Sequence, residues 1–213
     1  MPTGSPRRRG RPPSGGREAI LTATLELLRE RGIARLTTRE VAKRAGVSEA
    51  SVFYHYTDRP RLLRAVFIAG LEPLQALDAR DLAGRDHGDV LLRLAAAIER
   101  FLDQALPVLM AAQSDIELRD TMAEYLDDNG LGPHRGVQAV TAYLAGEQEA
   151  GRVDPTIDRE AVGLLLVGAS FLRSAQRQIM GHAERHDLPE MDGAVAMIER
   201  LLRPADARGR VES

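Results

Sequence analysis

The chain has no cysteine and no tryptophan among its 213 residues. Without cysteine there can be no disulfide, no thiolate nucleophile and no cysteine-based zinc site. Aromatic residues make up only 4% of the sequence, so a core must be built mainly of Leu, Ala and Val. Lysine is nearly missing as well: Lys43 stands alone, and almost every cation is arginine. No apolar run reaches the roughly 18 residues that a membrane span needs. The N-terminus carries no apolar signal segment. These absences predict a soluble, cytoplasmic protein with no membrane partner. A phosphate-cradling glycine loop, a dinucleotide fingerprint and a G-x-S-x-G elbow are also missing, which argues against an enzyme and calls for no cofactor.

Hydrophobic residues reach 44%, enough for a sizeable core. The net charge of −2 conceals a division. Residues 1–64 hold 14 Lys+Arg and 6 Asp+Glu, a net of +8, while residues 65–213 hold 15 and 25, a net of −10. A basic first third and an acidic remainder fit a nucleic-acid module joined to one that avoids nucleic acid.

Residues 37–56 organise the rest. Thr37-Thr38-Arg39-Glu40 has the form of a capping box, in which the Thr37 hydroxyl accepts from Glu40 N–H and the Glu40 carboxylate reaches back to Thr37 N–H. Val41, Ala42 and Ala45 follow on one helical face. Gly46 sits where that helix must stop, Val47 plugs the turn, and Ser48 caps a second helix. Two short helices around a tight glycine turn form the helix-turn-helix pattern, whose second helix enters the DNA major groove. In that second helix Val52 and Tyr56 share one face, expected to be core. Ser51, Tyr54 and His55 share the opposite face, expected to meet DNA.

Residues 17–64 resemble the DNA-binding domain of TetR-type transcriptional regulators. The resemblance rests on Ile20, Ala23, Leu27, Leu28, Arg31-Gly32, Thr37, Val41-Ala42, Ala45-Gly46-Val47-Ser48, Val52-Phe53, His55-Tyr56 and Leu62-Leu63. Phe53 stands where that family usually has tyrosine, and Glu49 where lysine is common. The resemblance implies DNA contacts from Thr37, Thr38, Arg39, Ser48, Glu49, Ala50, Ser51, Phe53, Tyr54, His55 and Arg59. It also implies dimerisation through the last two long helices.

The expected fold is all-α: a three-helix DNA-binding domain at 17–64, then a helical ligand-binding and dimerisation bundle at 65–204. Residues 1–16 and 205–213 are read as disordered arms. The first arm contains Arg9-Gly10-Arg11-Pro12, which fits either an AT-hook entering the minor groove through Arg9 and Arg11 or a plain basic tail. Periodicity predicts helices over 17–31, through 62–74 from a cap at Asp58 with Pro60 in the first turn, and over 90–106, 116–126, 133–149, 159–180 and 190–202. Pro73 is expected to kink or end the first of the bundle helices, and Pro107 to break the 90–106 helix or start the next one.

Helix 159–180 is apolar on nearly all sides between Ala161 and Leu172, as expected of an element buried on several faces. Gly163, Leu166, Val167, Ser170, Ala194, Met197, Ile198 and Leu201 are the dimer-interface candidates. Phe101, Met110, Tyr125, Tyr143 and Phe171 are the pocket candidates, since large side chains in an Ala/Leu-rich bundle can line a cavity. The reading is a homodimeric regulator, taken as a repressor, released from a palindromic double-stranded operator by an unidentified small-molecule inducer. The alternatives are an architectural DNA-binding protein without a ligand, a protein–protein adaptor, and a metal enzyme using His182 and His186. The last lacks a third ligand and a correctly placed glutamate.

Overall fold

The computed structural model describes residues 16–76, 82, 84–180 and 188–204. All regular structure among them is helical. Helix α1, Gly16–Arg31, buries Ile20, Ala23, Thr24, Leu27 and Leu28 on one stripe. It ends at Gly32, whose φ of 70° suits a residue without a side chain. One 3-10 turn, Ile33–Arg35, leads to α2, Thr38–Ala45, and α3, Glu49–His55. The caps are those the sequence calls for. Thr37 accepts from Glu40 N–H, and Ser48 accepts from Ser51 N–H. Gly46 takes the left-handed conformation between the two helices. The return half of the capping box does not form: Arg31 draws the Glu40 carboxylate to itself at 2.8 Å. A charge-assisted bond to a guanidinium outcompetes one to a neutral N–H.

Asp58 caps α4, Arg59–Ala69, and accepts from Arg61 N–H. The expected 62–74 helix is divided. Helix α4 stops at Ala69, and α5, Glu72–Gln75, restarts with Pro73 in its first turn, where a missing N–H does no harm.

Helix α6, His87–Ala112, departs from expectation in the other direction. It runs straight through Pro107, which is buried. Proline removes the N–H that would bond the carbonyl four residues earlier. That carbonyl, on Asp103, takes other donors. Arg29 Nη2 of α1 reaches it at 2.5 Å, and Gln178 Nε2 reaches it at 3.3 Å. Tertiary partners replace the missing intrahelical bond, so the helix continues. Helices α7 (Ile116–Asp128), α8 (Pro133–Glu149), α9 (Arg159–Met180) and α10 (Met191–Leu202) complete the bundle.

Two apolar clusters form the core. The first encloses α1–α4 and also takes in Ala105, Val108, Ala111 and Ala112 of α6 with Leu118 and Met122 of α7. The second joins the first half of α6 to α8, α9 and α10. Helix α6 therefore belongs to both. Gly163 lets α9 cross α8 closely, since a Cβ there would stand 2.9 Å from the Val137 carbonyl oxygen. The glycine matters for packing within the chain. Arg173 and Arg177 of α9 close the α6–α9 contact through ion pairs to Glu99 and Asp103, at 2.9–3.1 Å.

Candidate nucleic-acid interface and effector cavity

The recognition helix α3 is short, and its rotation is set by two anchors. Val52 is fully buried and Tyr56 is 7% exposed. The Tyr56 hydroxyl accepts from Arg17 Nε at 3.2 Å, fixing the end of α3 to the start of α1. A helix turns about 100° per residue, so these anchors turn the intervening residues outward. Tyr54 is 80% exposed and Phe53 50%. Ser51 and His55 lie half-buried on the flanks, with the His55 ring set edge-on to Tyr54 at 5.2 Å between centroids. Ala50 and Glu49 are exposed in the first turn.

Glu49 is held in place. The Thr38 hydroxyl donates to its carboxylate at 2.7 Å, tying the start of α2 to the start of α3. An acid there also suits the positive end of the helix dipole. Ser48 is occupied as a cap and shares a 2.8 Å hydroxyl contact with Ser51. Thr37 likewise serves as the cap of α2.

The cations divide into two groups. Arg44 forks onto Glu30 and reaches Glu26, and Arg31 holds Glu40. Arg59, expected near phosphates, instead pairs with Asp115 at 2.6 Å. Asp115 is the N-cap of α7, so this contact ties α4 to the bundle. Among the described residues Arg35, Arg39 and Lys43 make no ion pair and remain open to phosphates. Arg39 is the one of these three that the sequence singled out; Lys43 stands three residues after Glu40 but stays unpaired because Arg31 takes that carboxylate. Arg9 and Arg11 lie outside the described residues, as do His182 and His186.

Small capped helices, a buried Val-Tyr pair and an outward aromatic surface make a DNA-reading unit. Comparison with known proteins agrees. Residues 20–66 match the family described as bacterial regulatory proteins, tetR family. The DNA-binding segment is thus similar to that of tetR-family regulatory proteins. The chain is 26% identical over 128 residues to the HTH-type transcriptional regulator SrpR of Pseudomonas putida, covering 60% of this chain and 55% of that one. It is 29% identical over 134 residues to the tetracycline repressor protein class D of Escherichia coli, covering 59% and 60%. The chain thus spans less than two thirds of the length of either relative. Its fold is that of a TetR-family transcriptional regulator from Rhodococcus sp., with a TM-score of 0.60 at 20% identity, covering 89% of this chain and 99% of that one. No helix among the described residues is long and apolar enough to cross a membrane.

Beyond the DNA-binding segment the bundle holds a cavity of about 650 Å³. One wall is leucine and isoleucine, including Leu74 of α5 and Leu94 and Ile98 of α6. The other wall is α8, which presents Gly136, Ala139, Ala142 and Gly146. These small residues recur every three or four positions, and the room exists because they leave it. Of the five pocket candidates only Tyr143 lines this cavity. Phe101 and Tyr125 stack edge-on against Phe67, 5.6 and 6.4 Å away, and belong to the first core. Met110 and Phe171 are corrected too, being about half exposed on the outer surface. Large side chains fill space, so they were the wrong signal for a cavity; the stripe of small ones was the right signal.

One end of the cavity is polar. Glu147, only 2% exposed, accepts two bonds from Arg152, at 2.6 and 2.8 Å, and one from Gly84 N–H. The Arg152 bonds hold its carboxyl below the usual range, against the opposing effect of burial. The Tyr143 hydroxyl meets His87 Nδ1 at 2.9 Å, and burial pushes its ionisation upward.

The structure sorts the dimer-interface candidates as well. Gly163, Leu166, Ser170 and Ile198 are buried inside the chain and offer no outer surface. Val167 and Ala194 are half-buried, with Val167 packed on Gly136 of α8. Met197 and Leu201 are 54% and 49% exposed. Beside them α9 exposes Leu164, Leu165, Phe171, Leu172 and Ile179, each by about half or more. At about 100° per residue these lie together on one side of α9, roughly opposite the side that carries Gly163, Leu166, Val167 and Ser170.

Proposed function

We propose that this chain is a homodimeric, ligand-responsive transcriptional regulator acting as a repressor in the cytoplasm. Each protomer contributes one recognition helix, and the pair reads a palindromic double-stranded operator. Two such helices can enter successive major grooves only at a separation of about 34–36 Å. The exposed apolar faces of α9 and α10 supply the dimer contact. A monomer rarely leaves so many neighbouring large apolar side chains in water. The names of the matched relatives, a transcriptional regulator and a tetracycline repressor, support the repressor reading.

The observation that carries the ligand response is the path of α4 and α5. Helix α4 begins just after the recognition helix, and beyond its far end Leu71 and, in α5, Leu74 and Gln75 wall the cavity. Gln104 of α6 donates to Val66 O at 2.9 Å, locking α4 at mid-length. A ligand that changes the cavity wall therefore shifts α4 and with it α1, on which α4 packs and to which the end of α3 is bonded through Arg17 and Tyr56. Such linkage weakens operator binding by its differential affinity, commonly about 1–3 kcal/mol. The cavity also speaks against a purely architectural DNA-binding protein, which has no use for one.

Footprinting on fragments selected from genomic DNA tests the reading. Two protected half-sites one helical turn apart, related by a dyad, are expected. Protection of a single asymmetric site by a monomer, or none at all, would discard it.

A further inference from the structure

The cavity's charge has a direction. Its lining contains Arg135, Arg152 and Glu147 as formal charges, a net of +1, in a part of the chain that is otherwise strongly acidic. Glu147 and Arg152 satisfy each other. No buried side-chain polar atom among the described residues is left without a partner. Arg135 is different: it lines the cavity, is exposed, and its guanidinium makes no hydrogen bond or ion pair among the described residues. It lies in the first turn of α8, and Glu147 lies in the last turn of the same helix. Twelve residues at about 1.5 Å each separate them by roughly 18 Å along the axis. Between them the α8 wall offers only small and apolar groups besides the Tyr143 hydroxyl, which is already engaged by His87, and the facing wall adds the single amide of Gln75.

We propose that the effector is an amphiphilic carboxylate, its apolar body lying along the Gly/Ala face of α8 and its acid received by Arg135 at the mouth. This rests on the cavity being the effector site. A guanidinium matches a carboxylate through two parallel N–H···O bonds. A cation is disfavoured, because the one anion in the lining already has its arginine. A dianionic phosphate would find a single unpaired cation. An uncharged apolar molecule would fill the wall but leave Arg135 unused.

The test uses the full chain and three probes of equal length: dodecanoate, dodecanol and dodecylamine, each below its micellar concentration, with binding followed by calorimetry. The wild type should bind dodecanoate at least tenfold more tightly than dodecanol, and dodecylamine more weakly still. Arg135→Gln, a change at an exposed position, should erase the preference for the acid while leaving dodecanol affinity unchanged. Gly146→Leu should abolish all binding. A Cβ at Gly146 meets no atom within 4 Å, so the variant can fold with its side chain in the cavity. Ala142→Leu serves as a second filling variant. Retained acid preference in Arg135→Gln, or tighter binding of the amine, overturns the carboxylate assignment and leaves the cavity as effector site. Undiminished binding to both filling variants, or no binding to the wild type, removes the cavity itself and with it the effector site proposed above.

Discussion

At the scale of single residues, the recognition helix sets the division of labour between reading and holding. Tyr54 touches little within the chain, whereas Val52 is enclosed between α1 and α2. Tyr54→Ala should weaken operator binding with little change in melting temperature. Val52→Ala removes buried methyl groups and should destabilise by about 1–2 kcal/mol, a large share of the stability of a small helical unit. Melting curves and operator titrations of both variants check this. Loss of stability in Tyr54→Ala, with DNA binding lost but stability kept in Val52→Ala, means the helix is rotated the other way. Glu49 belongs to the same scale. The Thr38 hydroxyl fixes its carboxylate at the DNA-facing end of α3, where an acid can accept from the exocyclic amine of cytosine.

Between elements, glycines and a proline decide which helices approach. At Gly163 an added methyl would press within 2.9 Å of the Val137 carbonyl oxygen, a backbone atom that cannot swing aside. Gly163→Ala should therefore lower stability by about 1–3 kcal/mol, the usual range for overpacking. Gly146→Ala, in the interior of α8 with open space around it, should raise stability by up to about 1 kcal/mol through helix propensity alone. Chemical denaturation of the two variants gives opposite signs if α8 and α9 cross as described, and equal signs if they do not. The Asp103 carbonyl freed by Pro107 is the counterpart. It joins α1 to α6 and α9 at one point, so the DNA-reading unit is fastened to the bundle as well as covalently linked to it.

For the whole molecule, the proposed dimer rests on the exposed apolar side chains of α9. Leu164 and Leu165 are 65% and 61% exposed in the isolated chain. Covering them against a second copy yields about 25 cal/mol for each Å² of apolar surface removed from water. Replacing both with glutamate should leave the fold intact, because neither contributes to the chain's own core. Sedimentation should then report a monomer, and operator binding should fall with it. A dimer that survives the double substitution means the contact is made elsewhere.

Much of this was legible in the sequence because it is local. Thr37, Ser48 and Asp58 announce their caps, Gly46 its turn, and Ile20, Ala23, Thr24, Leu27 and Leu28 their buried stripe, since each signal depends only on neighbours within a turn or two. The rotation of α3 was readable for the same reason: Val52 and Tyr56 stand four apart amid polar flanks. The rotation of α9 was not. A helix that is apolar all round gives no polar face to fix it, so only its neighbours choose: Gly163 turns toward α8 and leaves Leu164 and Leu165 outside. Pro107 misled, because a break is avoided only when donors as distant as Arg29 and Gln178 arrive. The cavity was hidden because it consists of side chains that are absent, and an absence becomes a space only when other helices are packed around it. Local chemistry determined the elements and which side of α3 faces outward. Long-range packing decided which face is core, which is cavity and which is left for a partner.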